Sequence, residues 1–295
     1  MIIGLSRSVS LAKEISRLTG EKFVQLNSKR FPDGELYLRF PKQISRKVVL
    51  VQSMHPAPDN AIIEAIFAGK TAREIGAKKV TLAAPYLAYL RQDKRFKKGE
   101  CVSNRIMAGL LDFFDEIITI DPHLHRISSL QEIFSNKARH ITANQLIADF
   151  ISKNHPDSIL IGPDIESGQW AAEIAKKINH PFTILKKKRY SAETVRVKVH
   201  APEVVKGRTV ILVDDIISTG HTMLEPIKQL KKLGAKKIIC ICVHGIFAEN
   251  ALEKLKHAGA EVIATNTIAN HAAKISVAGI IAEHINNGSF VCSAK

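Results

Sequence analysis

The sequence predicts an α/β fold of mainly parallel sheets covered by helices, and three observations carry that expectation. Short apolar runs rich in Val and Ile recur along the chain, as in KVVLVQS, KKVTLAAPY, DEIITIDPH, SILIGPD, TVILVDD, KKIICICVHG and AEVIATNTI. Their apolar residues are consecutive instead of alternating, which is the pattern of strands buried on both faces. Amphipathic stretches of helical period separate them, so strand and helix alternate as a parallel sheet requires.

The 295 residues, 45% of them hydrophobic, suffice for two domains with separate cores. The strand and helix series runs through twice. Polar stretches at His140 to Asn144 and Ser152 to Asp157 place the boundary near residue 145, giving expected domains 1–145 and 146–295. In the first, residues 59–76 read as a helix with Ile62, Ile63, Ile66, Phe67 and Lys70 following a cap at Asp59 or Asn60. A helix at about 272–286 closes the chain, with room to pack back on the first domain. No short repeat or low-complexity segment interrupts this organisation.

Several function classes are disfavoured. No apolar run approaches the roughly 18–20 residues of a membrane-spanning helix. The start, MIIGLSRSVSLAKEI, lacks the apolar stretch and cleavage site of a secretory signal, so a cytoplasmic protein with no membrane partner is expected. Cys101, Cys240, Cys242 and Cys292 show neither metal-ligand spacing nor disulfide density and read as reduced and structural. The formal charge of +15 attracts polyanions. Many lysines lie at helix ends, as in KKLGAKK, and no basic patch is interleaved with aromatics, which make up 6% of residues. Small phosphorylated ligands are therefore expected, and no nucleic-acid partner.

Ligands of open α/β sheets sit outside the carboxyl ends of the strands. The strongest signal of that kind is TVILVDDIISTGHT: a buried strand from Thr209 to Val213, the carboxylates Asp214 and Asp215, a loop of small residues, then a helix. Ser218, Thr219, Gly220, His221 and Thr222, at a helix N-terminus, can offer amides and hydroxyls to a phosphate. The acids can accept hydrogen bonds from a vicinal diol about a sugar's length away. Together they read as a site for a sugar 5-phosphate. The Walker A pattern is absent.

This segment resembles the phosphoribosyl-diphosphate motif of the type I phosphoribosyltransferase superfamily, which includes base transferases and ribose-phosphate diphosphokinases. The resemblance implies that Asp214 and Asp215 hold the ribose hydroxyls of ribose 5-phosphate and that Ser218 to Thr222 hold its phosphate. Ser218 stands where an acid is frequent, and His221 where glycine is frequent.

The choice between transferase and diphosphokinase rests on the first half. RFPDGELYLRF is similar to the diphosphokinase F-x-D-G-E segment, implying that Phe31, Asp33 and Glu35 reach the adenine end of ATP across a dimer interface. APYLAYLRQDKRF resembles P-Y-x-x-Y-x-R-Q-D and carries Arg91 and Gln92 onto positions that contact ATP. A guanidinium suits phosphate because it stays charged and bonds in parallel pairs. IITIDPHLHRI resembles a D-L-H segment, with Pro122 in place of leucine, and sets His123 beside the magnesium nucleotide; His125 reads as surface. SILIGPDIESG matches a metal-associated acid at Asp164, with Glu166 and Ser167 where a glycine pair is common. LKKKRY resembles a K-x-R stretch on a mobile arm at about 186–198. Counting a lysine two before the arginine gives Lys187 and Arg189 as catalytic, with Arg189 also at ribose 5-phosphate; Lys186 and Lys188 are the alternative registers.

Six motifs in the family's order thus imply two tandem phosphoribosyltransferase-like domains. They imply ATP and ribose 5-phosphate as substrates, Mg2+ held with His123 and Asp164, and a homodimer or higher homo-oligomer such as a hexamer. The alternatives are a phosphoribosyltransferase acting on a base, or a catalytically silent regulatory homologue. The latter would lose the basic arm or an acid of the loop, and this chain keeps both.

Overall fold

The apolar runs form strands and the periodic stretches form helices, in two compact units: Met1–Thr142 with Thr267–Ala269 and Val277–Lys295, and Ala143–Asn266 with Asn270–Ser276. The computed structural model describes all residues except 42, 96, 125, 164, 190–194, 200, 201 and 291–295, and the backbone alone at 165, 166, 169, 186–189, 195–199, 202 and 288–290. Among the described residues no helix is long and apolar enough to cross a membrane.

The first unit runs β1 (Ile2–Gly4), α1 (Val9–Thr19), β2 (Phe23–Gln25), β3 (Asn27–Arg30), β4 (Leu36–Arg39), β5 (Lys47–Val51), α2 (Pro58–Glu74), β6 (Lys79–Ala83), α3 (Ser103–Leu111), β7 (Glu116–Ile120) and β8 (Lys137–Ile141). Six strands make one sheet in the order β2-β1-β5-β6-β7-β8, and each neighbouring pair is parallel. Ile3, Leu50, Leu82 and Ile117 lie wholly buried in its core. At Gly69 of α2 an added Cβ would stand 2.7 Å from the Phe114 ring, so only glycine lets the helix approach that closely.

α2 begins at Pro58, one residue ahead of the capping positions read from sequence, and its N-cap is Ala57. Proline suits the first helical position because it has no N–H to leave unpaired. Ile62 is buried, but Ile63 and Phe67 of the same apolar series face outward. At the start of β7 the buried Glu116 carboxylate lies 3.1 Å from Lys79, 3.1 Å from Arg139 and 3.5 Å from Lys137. Burial pushes that carboxyl up, yet the hydrogen bond and charge of Lys79, with the charges of Lys137 and Arg139, outweigh it and hold it below the usual range.

The second unit continues with α4 (Asn144–Asn154), β9 (Ile159–Gly162), α5 (Ile165–Ile178), β10 (Phe182–Arg189), β11 (Val195–Val199), β12 (Thr209–Ile217), α6 (His221–Lys232), β13 (Lys237–Gly245), α7 (Ala251–His257), β14 (Ala260–Thr265) and β15 (Ala273–Ile275). Its sheet order is β11-β10-β9-β12-β13-β14-β15. Only the β10 and β11 pair is antiparallel there. The basic run of LKKKRY does not follow a short strand; Lys186 to Arg189 are the last residues of β10, paired with β11. The last helix, α8 (Ala278–Phe290), starts later than the sequence predicts because Ala273–Ile275 extends as β15. α8 belongs to the first unit and packs on α1.

Candidate functional site

In the second unit β12 continues past Val213 through both acids to Ile217, pairing Asp214 with Cys242 and Ile216 with His244 of β13. Adjacent strand residues face opposite sides of a sheet. The two carboxylates nevertheless share a forward lean along the strand: Asp214 Oδ1 accepts from the Asp215 amide at 3.0 Å, and Asp215 Oδ1 from the Ile216 amide at 2.7 Å. Both oxygens are thereby held toward the carboxyl end, where ligands of such sheets bind. Asp214 is 8% exposed. Beneath it, burial and then the Asp214 charge push the Cys240 thiol up to about 12, and the same causes raise Cys242. These thiols stay protonated and add no negative charge to the site, in keeping with the reduced, structural role read from sequence.

After Ile217 the chain turns through Ser218 and Thr219 to Gly220, the N-cap of α6, at φ 76°. An L side chain is strained there, and a Cβ would also stand 3.3 Å from the Ala251 Cβ. No side chain caps this helix, and its first turn carries no acid. The amides at the start of α6, with the exposed His221 and Thr222, form an N-terminus suited to an anion.

In the first unit Phe31, Asp33 and Glu35 lie on the exposed tip of the β3–β4 hairpin. The tip is tied by Phe31 N to Glu35 O and Gly34 N to Phe31 O, both 2.9 Å, and Asp33 Oδ1 accepts from the Glu35 amide at 3.0 Å. Gly34 at φ 94° makes the turn possible. The Phe31 ring is 47% exposed and rests edge-on against Tyr37, centroids 5.7 Å apart. Arg91 is exposed in the segment after β6. Gln92 accepts at its carbonyl from the Asn104 amide at 3.4 Å, which ties this segment to the start of α3. Asp121, the residue after β7, stands at φ 31° and donates its amide to the Ile141 carbonyl at 3.0 Å, and His123 lies two residues further on. The hairpin, the segment after β6 and the exit of β7 thus each carry their sequence-predicted residues.

Asp164 and His125 lie outside the described residues, as do residues 190–194 of the arm and Cys292. For Lys187 and Arg189 the described part is the backbone, paired with Val197 and Val195. Cys101, read as structural, is exposed, with its sulfur 3.4 Å from Gln92 Oε1. Sequence reasoning gives no role to the turn Ser6–Arg7–Ser8, although a polar turn straight after the apolar run IIGL is the same signal that marks Asp214.

Comparison with known proteins matches residues 1–113 to the N-terminal domain of ribose phosphate pyrophosphokinase and residues 129–274 to the phosphoribosyl transferase domain. A ribose-phosphate pyrophosphokinase of Methanopyrus kandleri is 36% identical over 292 residues, covering 97% of this chain and 99% of that protein. One of Methanothermobacter thermautotrophicus is 38% identical over 286 residues, covering 96% and 99%. The crystal structure of phosphoribosylpyrophosphate synthetase from Mycobacterium smegmatis superposes with a TM-score of 0.83 at 28% identity, covering 98% of each chain.

Proposed function

The chain belongs to the ribose-phosphate pyrophosphokinase family, and we propose that it moves the β,γ-diphosphate of ATP onto O1 of ribose 5-phosphate, releasing AMP and phosphoribosyl diphosphate. The observation that carries this reading is the pair of forward-held carboxylates, Asp214 and Asp215, beside the uncapped start of α6. In the reaction O1 attacks the β-phosphorus, the bond from that phosphorus to the α,β-bridging oxygen breaks, and AMP keeps the bridging oxygen. The O1 proton passes to solvent. Charge spreads over phosphate oxygens, so the protein acts by positioning and electrostatics.

Asp214 and Asp215 orient the ribose through its hydroxyls, and Ser218 to Thr222 hold the 5-phosphate. Arg91 and Gln92 bind the triphosphate end of ATP, while Phe31, Asp33 and Glu35 receive adenine from a partner subunit. Lys187 and Arg189 neutralise the transferring group. Among the described residues no three His, Cys, Asp or Glu side chains form a metal cage. His123 and Asp164 would hold a magnesium ion, whose preference for hard oxygen donors the Asp164 carboxylate would meet. Bound there, the ion supplies neutralisation of phosphate charge. A cytoplasmic location fits these substrates.

Homo-oligomerisation is supported by α2 and α3. Ile63, Phe67, Ile106 and Leu110 are between 43% and 57% exposed, and three of them line one apolar cavity of about 290 Å³. A second copy burying this face would remove four large side chains from water. The activity is tested by incubating the protein with ATP, ribose 5-phosphate and Mg2+. AMP must form only when the sugar phosphate is present; a base transferase yields none.

A further inference from the structure

The ATP side of the first unit is divided between two segments that are far apart along the chain. Arg91 and Gln92 follow β6, and His123 follows β7. For these residues to meet one triphosphate the segments must hold a fixed separation, and none of the three lies in a helix or strand that would impose it.

Each segment has an apolar anchor. Leu90, directly before Arg91, is 3% exposed. Leu124, directly after His123, packs against the same core cluster. Ser103 Oγ also donates to the Tyr89 carbonyl at 3.2 Å, which ties the first segment to α3. Such anchors fix where a segment sits and leave its direction to other contacts. The contact that joins the segments directly is an ion pair: Arg126 Nη1 donates to Asp93 Oδ1 at 2.8 Å, across 33 residues of chain. Arg91 and Gln92 are thus bracketed by a buried leucine and an ion-paired acid, and His123 stands three residues before the acid's partner.

Ion pairs between exposed side chains add little to stability. Here the Asp93 side chain is 3% exposed and that of Arg126 is 47% exposed. Asp93 Oδ2 is shut off from water, and among the described residues it accepts from nothing. A buried carboxylate with one oxygen unserved is costly, and removal of Arg126 would strand its charge. An apolar side chain in the same place would pack without that cost, so the acid is better accounted for by what it aligns than by the stability it adds.

We propose that Asp93 and Arg126 are a positioning pair for ATP, whose ion pair sets the segment of Arg91 and Gln92 against the exit of β7 so that both meet the same phosphates. Neither residue touches the reacting atoms. The pair acts through Arg91, Gln92 and His123, and the inference rests on the ATP role proposed for those three.

The test compares full-length wild type with Asp93→Asn, Arg126→Gln, the double variant and Arg126→Lys. Initial rates are measured against ATP at saturating ribose 5-phosphate and Mg2+, then against the sugar at saturating ATP. Hydrogen–deuterium exchange is followed over residues 89–95 without ligands, and thermal melts check folding. Each single variant should raise the KM for ATP about tenfold or more, because small misplacements of binding groups are costly, and leave kcat and the KM for the sugar within about twofold. The double variant should be no worse than the worse single one, since either change alone removes the pair. Arg126→Lys keeps the charge and should recover most of the lost ATP affinity. Exchange over 89–95 should quicken in both single variants. Because Arg126 is half-exposed, Arg126→Gln decides the matter even if Asp93→Asn fails to fold. A folded Arg126→Gln with the wild-type KM for ATP would overturn the proposal, as would additive effects in the double variant. If wild type forms no AMP, the functional reading fails by itself. The tie between the segments is then judged by exchange: quickening over 89–95 supports it, and unchanged exchange overturns it.

Discussion

Asp214→Asn removes one negative charge from the phosphosugar loop while keeping the shape of the side chain and the oxygen that accepts the Asp215 amide at 3.0 Å. A hydrogen bond to a charged acceptor contributes about 1.5–3 kcal/mol, against about 0.5–1.5 kcal/mol for a neutral one. Loss of the charge should therefore cost about 1–1.5 kcal/mol of ribose binding, or about tenfold at 1.4 kcal/mol per decade. Asp214→Ala removes the acceptor too, and should cost about 1.5–3 kcal/mol, about 10- to 150-fold. The assay is initial rate against ribose 5-phosphate at saturating ATP, then against ATP at saturating sugar. Both variants should raise the KM for the sugar and leave that for ATP within about twofold, because the ATP-side residues lie in the other unit. Thermal melts keep a folding defect apart from a binding one. A folded Asp214→Ala with unchanged KM and kcat/KM for ribose 5-phosphate would refute the assignment.

Gly220→Ala forces an L side chain into φ 76° with its Cβ 3.3 Å from Ala251; it should lose about 1–2 kcal/mol in urea unfolding and weaken ribose 5-phosphate. Arg91→Ala should raise the KM for ATP about tenfold or more and spare that for the sugar, which the same rate assay reads. Glu116→Gln should destabilise by about 1–3 kcal/mol at pH 7. Its carboxyl is held below the ordinary value, so the stability it confers is present above that value and lost as pH falls through the folded one. The gap between variant and wild type should accordingly narrow on acidification, as followed by unfolding at a series of pH values. Ile63→Ser with Phe67→Ser should shift sedimentation toward a smaller species at unchanged secondary structure, and an unchanged oligomer would point to another interface.

Much of the fold was legible because strands buried on both faces must be apolar throughout, and the runs from KVVLVQS to AEVIATNTI all became strands. Shorter or more polar strands escaped for the same reason. β2 and β8 lie at or near a sheet edge and bury little, and β1 is only Ile2–Gly4. The antiparallel partner of β10 is VRVKV, whose charges read equally as loop in the sequence. The acids and glycine of the phosphosugar loop were visible because few other residues perform their tasks. What the residues could not reveal was the forward lean of both carboxylates, which depends on each accepting from the next amide. The cavity beside Ser6 and Arg7 was invisible for a different reason: its wall joins the turn after β1, β3 and the start of α2, which are far apart along the chain.

The account stands most directly on which phosphorus of ATP the sugar attacks. Phosphorus NMR of a reaction containing protein, ATP, ribose 5-phosphate and Mg2+ should show AMP and phosphoribosyl diphosphate growing in equal amounts, with no ADP. Formation of ADP with a ribose bisphosphate, or no change in the ATP signals while the protein stays folded, would contradict it.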